Sequence, residues 1–473
     1  MMDLRGKKIV VLGIGASGEA AAKWAESRGA MVVVSDLKPI GRWPSDFIEW
    51  ARARGVGIEA GKNDPKTCLS ADMVIVSPGI PLDAHVVRST LEYGIPITGE
   101  LALAVSLWRG PLIAITGTNG KTTTTSLVGE MFKTAGLPHV TAGNIGVPLL
   151  GFLQHDEYNS GEAAVLEVSS FQLDAFSLNR GWFRPPRFNI AAFLNLSPDH
   201  LDRYPGLAAY GESKASLFKF QTGSDWAVMN GDDPNLLPFR DRGMAKRLIF
   251  GRCDHGLHGA LIRRESGQII LRLPESIGGS DEVYSLKNWG LKGIHNLENL
   301  AAAILIARVS GIGPAVVQEV ISTFKAPPHR IEWVATKNGI NYYDDSKGTN
   351  VVSVIKAIES IDGPVVLIAG GRGKGEDYSP LRHYAESGRV SAFVLMGEEA
   401  SVIKDAVGVA VPVFEIVETD GWQAMREAVR LAALNAEDGG AVLLSPACAS
   451  FDMFEDYRER GLAFKKAVLE LEV

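Results

Sequence analysis

Short apolar runs alternate with amphipathic stretches over the first hundred residues. The apolar runs cover 7–13, 30–36, 72–79 and 94–99, and helical patterns cover about 18–29 and part of the stretch after 36. Strands that alternate with helices in this way are typical of βαβ units and a parallel sheet. The pattern therefore predicts a doubly wound α/β unit at the start of the chain.

The same rhythm starts again at PLIAITG (111–117), with a helix after Lys121 and later strands in AAVLEVSS and AAFLNLS. From Asp225 to about Ser285 the runs are short and are separated by glycine and charged turns, which favours an antiparallel flap. Two helices are predicted next, at about 295–310 and 315–324. This stretch is a second α/β unit with an antiparallel addition.

The two adjacent prolines of KAPPHR (325–330) interrupt the helical pattern, because proline cannot continue a helix and stiffens a connector. Five strand candidates follow, mostly with helices between them: INYYDDS, GPVVLIAGG, SAFVLMG, PVFEIV and AVLLSPA. We therefore predict three α/β domains with limits at 1–100, 101–326 and 327–473.

Length and composition agree with a globular protein of this kind. The chain has 473 residues, 46% of them hydrophobic and 22% charged, and about 150 residues per domain gives three domains. The net charge of −7 argues against nucleic acid or an anionic membrane as a partner. Neither a signal peptide nor a run of about 18 apolar residues is found, so we expect a cytoplasmic protein.

The cysteines give little reason to expect a disulfide framework or a zinc site. There are three, Cys68, Cys253 and Cys448, and they are widely separated. We expect them to be buried thiols.

A glycine-rich turn joins the first strand to the first helix. Gly13, Gly15 and Gly18 form GxGxxG, and Asp36 closes the next strand. In this context the glycines let the backbone approach a phosphate at a helix N-terminus. The turn is compatible with a nicotinamide cofactor, with another nucleotide, or with a purely structural tight turn.

A second glycine-rich turn, TGTNGKTT (116–123), also lies between a strand and a helix. Its amides would surround phosphates, Lys121 would contact the terminal phosphates, and the Thr122 hydroxyl would bind Mg²⁺. The general P-loop spacing would place its first glycine at Ile115, so this loop is shorter at its entrance. We predict an ATP site here, which a simple dehydrogenase would not need.

Two further side chains are candidates for binding Mg²⁺ at this site. Glu167 and His200 follow apolar runs and are expected at neighbouring strand ends. A structural, salt-bridged Glu and a structural His are the alternatives, since a buried carboxylate needs a metal or a cation. Composition alone would make Lys214 a solvated surface lysine.

Seven motifs follow one another along the chain in this order: TGTNGKTT, EVSSFQLD, NLSPDHLDR, ESKASLF, GIHNLENLAAA, PPHRIE and DDSKGTN. In this order the chain resembles, over essentially its whole length, the Mur ligases of peptidoglycan synthesis and the related folylpolyglutamate synthetases. The resemblance implies a Rossmann-like N-terminal domain, a P-loop central ATPase domain and a Rossmann-like C-terminal domain. It also implies ATP-dependent amide ligation through an acyl phosphate.

The SSFQL, DDSKGTN and SPACASFD stretches are most similar to family members that add D-glutamate to UDP-N-acetylmuramoyl-L-alanine. A sister ligase for another amino acid is the nearest alternative, although the DNPR string of diaminopimelate-adding members is absent. Folylpolyglutamate synthesis is less favoured, because GIGASG heads a whole additional domain. An NAD-dependent oxidoreductase and a non-catalytic ATP-binding module are the alternatives outside this chemistry.

The resemblance further implies ATP, Mg²⁺, small-molecule substrates and a monomer, and it assigns roles to individual residues. ATP phosphates would be bound by Gly117, Thr118, Asn119, Gly120, Lys121, Thr122 and Thr123, and adenosine or its phosphates by Asn296, Asn299, Arg330 and Asp345. Mg²⁺ would be bound by Thr122, Glu167, His200 and a carbamylated Lys214, with Lys121, His200 and Lys214 as the catalytic group. The UDP substrate would be bound by Ser17, Asp36, Lys38, Gly79, Asn144, Ser169 and Gln172, and D-glutamate by Lys347, Thr349, Lys374, Ser450, Phe451 and Tyr457.

Overall fold

The structure is a computed structural model that describes residues 3–154, 161–178, 180–200, 203–256, 258–279, 281–291, 293–325 and 328–471. It contains three separate sheets, of five, nine and six strands, in chain order. Each sheet is covered by helices, which confirms the predicted α/β class. Pro327 and the predicted limit between 326 and 327 lie outside the described residues.

The first sheet is fully parallel, in the order β3-β2-β1-β4-β5. Its strands are β1 Lys8–Leu12, β2 Met31–Asp36, β3 Gly57–Ala60, β4 Met73–Val76 and β5 Ile97–Gly99, and its helices are α1 Ala16–Ser27, α2 Ser45–Ala53, α3 Pro65–Leu69 and α4 His85–Glu92. The pattern missed β3, because this edge strand is only half-buried and has no apolar run.

The central unit begins with α5 Glu100–Leu107 and has the sheet order β14-β13-β12-β11-β10-β9-β6-β8-β7. Its strands are β6 Leu112–Thr116, β7 His139–Gly143, β8 Ala163–Glu167, β9 Ile190–Phe193, β10 Trp226–Asn230, β11 Lys246–Gly251, β12 Gly259–Arg263, β13 Gln268–Arg272 and β14 Asp281–Ser285. Its helices are α6 Lys121–Thr134, α7 Leu149–Phe152, α8 Ser170–Asp174, α9 Leu207–Ala215, α10 Ile294–Val309 and α11 Pro314–Thr323.

The predicted antiparallel flap over 225–285 is only partly correct. Strands β10, β11 and β12 extend the central sheet in parallel, and only β13 and β14 are antiparallel. The crossover between β10 and β11 uses a 3-10 helix of only six residues, Pro234–Phe239. A short crossover of this kind looks like a hairpin connection in the sequence.

The third sheet has the order β15-β16-β20-β17-β18-β19, with β15 antiparallel and the other strands parallel. Its strands are β15 Glu332–Lys337, β16 Ile340–Asp344, β17 Val365–Gly370, β18 Val390–Met396, β19 Val413–Glu415 and β20 Ala441–Leu444. Its helices are α12 Val351–Ser360, α13 Pro380–Glu386, α14 Ala400–Val407, α15 Gly421–Asn435 and α16 Tyr457–Glu470. The five predicted strands are present, and the missed one is the half-exposed edge strand β15.

We propose that the domains run over 1–100, 101–326 and 327–473, each carrying one of these sheets. Cys68 and Cys448 are buried as expected, but Cys253 is exposed, because it lies in the polar turn after β11. Among the described residues, no helix combines the length and apolar character needed to cross a bilayer.

Glu100 is buried where the first sheet leads into the central unit. One carboxyl oxygen accepts a hydrogen bond from the Leu150 backbone N–H at 2.9 Å. The other oxygen has no hydrogen-bond partner among the described residues. Burial raises the pKa of this carboxyl to about 7, against a weaker opposing effect of the Leu150 N–H. The folded protein therefore keeps a proton on Glu100 at pH values where the unfolded chain has lost it.

We expect the stability of the protein to fall between about pH 4.5 and 7, in part because of Glu100. Over this interval the folded state binds more protons than the unfolded state, so raising the pH favours unfolding. In Glu100→Gln this pH-dependent loss in the free energy of unfolding, about 1–3 kcal/mol, should disappear. Melting temperatures at pH 5, 6, 7 and 8 should therefore decline less steeply than those of the unmodified protein. The exposed Glu92→Gln is the matched control, and parallel curves for all three proteins would contradict the expectation.

Candidate functional site

The central sheet gathers chemically active residues at one edge. Strand β6 lies between β8 and β9, and all three run in parallel, with Ile115 opposite Glu167 and Thr116 opposite Phe193. The loops after these strands therefore leave at the same edge, where ligands of open α/β sheets bind. The glycine-rich turn and His200 lie in these loops, and Glu167 is the last residue of β8, at the same edge.

The turn between β6 and α6 has a backbone path that requires glycine. Gly120 has a φ of 84°, and a Cβ there would lie 2.1 Å from the Asn299 side-chain oxygen. The Lys121 ammonium folds back onto the turn and donates to the carbonyl oxygens of Gly117 and Thr118 at 2.9 and 2.8 Å. Burial lowers the pKa of Lys121. The turn thus presents backbone amides and a buried cation to one space.

Glu167 lies beside this turn and is almost fully buried. Its carboxylate accepts from the Thr122 hydroxyl at 2.7 Å and from the Asn144 amide at 3.0 Å. Burial would raise the pKa of Glu167, but Lys347, Lys121 and these two hydrogen bonds lower it overall. Glu167 is therefore a buried anion, and Thr122, Asn144 and Glu167 provide oxygen atoms of the kind that Mg²⁺ prefers.

His200 follows β9, with a left-handed backbone (φ 55°) and its ring against Phe171 at 4.8 Å between centroids. Burial lowers the pKa of His200 to about 4, and Lys374 and Lys121 act in the same direction against Asp199. The imidazole is therefore neutral near pH 7, the form that binds a metal.

Lys214 is buried at the site, which corrects the solvated surface position that composition suggested. Its ammonium donates to the Gly117 carbonyl oxygen at 2.9 Å and lies 4.4 Å from the centre of the Tyr210 ring. Burial, reinforced by nearby Lys121, lowers its pKa well below the usual value. The helix that carries it, α9, is fixed to α8 because Ser213 and Tyr204 both donate to Asp174 at 2.6 Å.

The third sheet supplies cations to the same turn. Arg330 and Lys347 each donate to the Thr122 hydroxyl oxygen at 2.8 Å. Burial, followed in size by the effect of Arg330, lowers the pKa of Lys347 to about 7. Ser353 also donates to the Asn119 side-chain oxygen at 2.6 Å. The central and third units are therefore closed on one another around the turn.

One cavity between these units is lined by seven of the eleven predicted nucleotide-binding residues and by Lys347, which was predicted to bind the amino acid; Gly117, Thr118, Lys121 and Thr122 are not among its lining residues. Asp345 at its edge accepts from the Ser445 hydroxyl at 2.7 Å, and burial raises its pKa to about 7. The predicted residues that line this cavity are Asn119, Gly120, Thr123, Asn296, Asn299, Arg330, Asp345 and Lys347.

A second cavity, of about 610 Å³, lies between the first unit and the central one. The GxGxxG turn borders it, and a Cβ at Gly18 would lie 1.8 Å from the Gly13 carbonyl oxygen. The Asp36 carboxylate accepts the backbone N–H groups of Ile14 and Lys38, both at 2.7 Å. Of the predicted substrate residues, those that line this cavity are Ser17, Asp36, Lys38, Gly79, Asn144 and Gln172.

Ser169 does not line this cavity. Its hydroxyl oxygen accepts the Gln172 backbone N–H at 3.3 Å in a capping box at the start of α8. The Gln172 side-chain oxygen in turn accepts the Ser169 backbone N–H at 3.0 Å. Ser169 thus orients Gln172 through the cap.

The residues predicted to bind the amino acid fall into two groups. The Lys374 ammonium pairs with Asp199 at 3.2 Å and donates to the Thr349 carbonyl oxygen at 3.1 Å. Lys347, in contrast, lies at the turn and 5.0 Å from the Tyr457 ring centre. The remaining two differ in exposure: Ser450 is buried, whereas Phe451 is 64% exposed.

Two residues that the sequence did not single out hold this arrangement together. Asp199 is buried between Lys374 and His200, and its pKa is lowered against the effect of burial, most strongly by the Lys374 ammonium. Arg460 is 2% exposed and donates to the carbonyl oxygens of Ser346 and Cys448 at 2.9 and 3.1 Å. Asp199 directly precedes a predicted ligand, which was the available signal for it.

A group of His329, Glu332 and Asp344 has the spacing of a metal site but already holds a cation. The Lys465 ammonium lies 2.7 Å from Glu332 and 3.8 Å from Asp344. It is a structural ion-pair cluster behind Arg330.

Three α/β sheets, with the central and third units meeting at a glycine-rich turn and the first and central units enclosing a second cavity, are the arrangement of a three-domain ATP-dependent ligase. Comparison with known proteins agrees. Family models match three segments: the Mur ligase MurD-like N-terminal domain at 7–99, the Mur ligase middle domain at 115–307, and the Mur ligase glutamate ligase domain at 329–448. The chain belongs to the Mur ligase family.

Particular relatives narrow the class further. UDP-N-acetylmuramoylalanine--D-glutamate ligase of Pelotomaculum thermopropionicum is 41% identical, with 100% of this chain and 99% of the relative covered. The enzyme of the same name from Koribacter versatilis is 37% identical, with 99% of each covered.

Solved structures show the same fold. A pseudomurein peptide ligase type C from Methanothermus fervidus has a TM-score of 0.60 at 19% identity, covering 99% of this chain and 100% of its own. UDP-N-acetylmuramate-alanine ligase from Thermotoga maritima has a TM-score of 0.58 at 16% identity, covering 98% and 99%.

Proposed function

We infer that this protein joins D-glutamate to UDP-N-acetylmuramoyl-L-alanine at the expense of ATP, in the synthesis of peptidoglycan precursors. Full-length similarity to ligases of that name supports the substrates. The observation that carries the mechanism is the meeting of cations from two domains, Lys121, Arg330 and Lys347, at one phosphate-binding turn.

The chemistry follows from the poor reactivity of a carboxylate. An oxygen of the alanyl carboxylate attacks the γ-phosphorus of ATP, the bond to the β–γ bridging oxygen breaks, and acyl phosphate and ADP form. The D-glutamate amine then attacks the acyl carbon, phosphate leaves, and the amine loses a proton as the amide forms. The protein mainly positions the reactants and neutralises phosphate charge.

The residues around the turn divide this work. The amides of the turn and the Lys121 ammonium would bind the β- and γ-phosphates, while Arg330 and Lys347 would approach the γ-phosphate from the third domain. In the structure both of these cations donate to the Thr122 hydroxyl oxygen. An incoming triphosphate would therefore replace a hydroxyl oxygen with a far better acceptor.

The donor set at this edge of the sheet fits Mg²⁺. Thr122 and Glu167 offer oxygens, and His200 offers a neutral imidazole nitrogen. When bound, Mg²⁺ would neutralise phosphate charge. Asn144 holds the second oxygen of Glu167 in place.

Lys214 fits this set only in a changed chemical form. As an ammonium it would be repelled by a divalent cation and by Lys121. Its nitrogen is buried beside the Gly117 carbonyl oxygen, within the same side-chain cluster as Glu167. We propose that CO₂ adds to its neutral amine, and the loss of one proton yields a carbamate, which is an anion that binds Mg²⁺.

The second cavity would hold the UDP substrate, with its diphosphate at the GxGxxG turn and its muramoyl-alanyl arm at Asn144 and Gln172. Lys374 and Thr349 would meet D-glutamate. We propose that the enzyme acts as a monomer. We also propose that it works in the cytoplasm, where ATP is supplied.

Phosphate release from ATP, measured with UDP-N-acetylmuramoyl-L-alanine and a panel of amino acids, tests the function. D-Glutamate alone should support turnover. Turnover with L-glutamate, L-lysine or diaminopimelate, but not with D-glutamate, would identify a sister ligase. Phosphate release that is independent of every amino acid would contradict ligation.

Lys121→Ala should abolish turnover and leave binding of the UDP substrate near normal. The lysine lies at the turn after β6, whereas the uridine end of the substrate would lie at the turn after β1. Calorimetry with UDP-N-acetylmuramoyl-L-alanine and a phosphate-release assay check the two parts. Retained turnover with weakened binding of the UDP substrate would show that Lys121 does not belong to the ATP site.

Lys374→Ala should raise the KM for D-glutamate about tenfold or more, because a lost charge-assisted contact costs about 1.5–3 kcal/mol. Lys347→Ala should additionally lower kcat and raise the KM for ATP, since Lys347 also contacts the phosphate-binding turn. Initial rates with each substrate varied in turn separate the effects. An unchanged KM for D-glutamate in both variants would show that neither Lys347 nor Lys374 binds D-glutamate.

Lys214→Ala should be nearly inactive, and small carboxylates such as formate or acetate should partly restore its activity by occupying the vacated anion position. The unmodified enzyme should lose activity when CO₂ is removed and regain it with bicarbonate. The exposed Lys219→Ala, five residues further along the chain, is the control. Full activity of Lys214→Ala in CO₂-free buffer would refute the carbamate.

A further inference from the structure

Arg458 extends from the third domain to the cavity that would hold the UDP substrate. The cavity, of about 610 Å³, is otherwise lined by the first and central domains. Among its lining residues in the described chain, Arg458 is the single contribution of the third domain. The third domain therefore contacts the UDP-substrate cavity as well as the nucleotide turn.

Arg458 changes the charge balance of this cavity. Among the lining residues of the described chain, the basic side chains are Lys38 and Arg458, and Asp36 is acidic. Lys38 shares a turn with Asp36, whose carboxylate accepts the Lys38 backbone N–H at 2.7 Å. The UDP substrate brings negative charge on its diphosphate and on its alanyl carboxylate. Without Arg458 the cavity lining would have no net positive charge to match them.

Neighbouring residues orient the guanidinium of Arg458 but leave it available to bind a ligand. Asp456 caps α16 by accepting the backbone N–H groups of Arg458 and Glu459 at 2.7 and 3.0 Å. The guanidinium lies 5.5 Å from the Tyr457 ring centre and 3.6 Å from an Asp456 carboxylate oxygen. The side chain remains 59% exposed, and a guanidinium has five N–H donors in a rigid fork suited to oxyanions.

We propose that Arg458 binds an oxyanion of the UDP substrate across the domain interface, as a substrate-binding residue that nothing in the sequence had marked. This inference rests on the proposed function for the identity of the substrate. It also gives closure a second trigger, since a bound UDP substrate would attract the third domain through Arg458 while the triphosphate attracts Arg330.

Calorimetry in the presence of a non-hydrolysable ATP analogue tests the proposal with two probes, UDP and UDP-N-acetylmuramoyl-L-alanine. Arg458→Ala should weaken binding of the complete substrate about tenfold or more, and Arg458→Lys should recover part of the loss. The control is Arg430→Ala on α15, an exposed arginine paired with Glu427. It should bind both probes as the unmodified protein does. Melting temperatures confirm that each variant is folded.

Each outcome of the binding experiment either supports or overturns the proposed role of Arg458. Weakened binding of both probes supports the proposal and places Arg458 at the diphosphate, whereas weakening confined to the complete substrate supports it and places Arg458 at the alanyl carboxylate. Unchanged binding of both probes overturns it, as does an effect confined to the KM for D-glutamate. If the proposed function itself is wrong, the unmodified protein will release no phosphate with D-glutamate. That result distinguishes failure of the proposed function from failure of the Arg458 proposal.

Discussion

The structure depends on a concentration of positive charge around one turn. Two ammonium groups, from Lys121 and Lys214, donate to the Gly117 carbonyl oxygen, and Arg330 and Lys347 donate to the Thr122 hydroxyl. The pKa values of Lys121, Lys214 and Lys347 are all lowered, chiefly by burial and further by neighbouring cations. Such a concentration of positive charge around a glycine-rich turn suits the phosphates of a nucleoside triphosphate, as proposed above.

The same constraint explains the division of the chain. The central unit holds the turn directly after β6, Glu167 at the end of β8 and His200 in the loop after β9. The other half of the charge arrangement lies on a separate sheet, so it can approach or withdraw as a unit. In the structure Arg330 and Lys347 already lie against the turn, where both donate to the Thr122 hydroxyl oxygen. The complete charge arrangement therefore depends on how the central and third sheets pack together.

The comparison between pattern and structure separates local from distant effects. The two glycine-rich turns were found because their requirements are local: a Cβ at Gly18 would collide with the Gly13 carbonyl oxygen, only five residues away. Edge strands such as β3 and β15 were missed because they are half-exposed and lack an apolar run. Lys214 looked like a surface residue in composition, and only the resemblance to a family pointed to the site.

The sequence by itself determined the α/β class, the three units and the phosphate-binding turn, because periodicity, proline and glycine act over a few residues of chain. The family resemblance supplied the candidate residues, but tertiary structure decided which of them meet. Lys347 reaches Thr122 across 225 positions, Lys374 pairs with Asp199, and Arg458 turns to the first domain's cavity. Such contacts depend on how the three sheets pack against one another. Local sequence patterns do not predict them, because they join residues that lie far apart in the chain and on different domains.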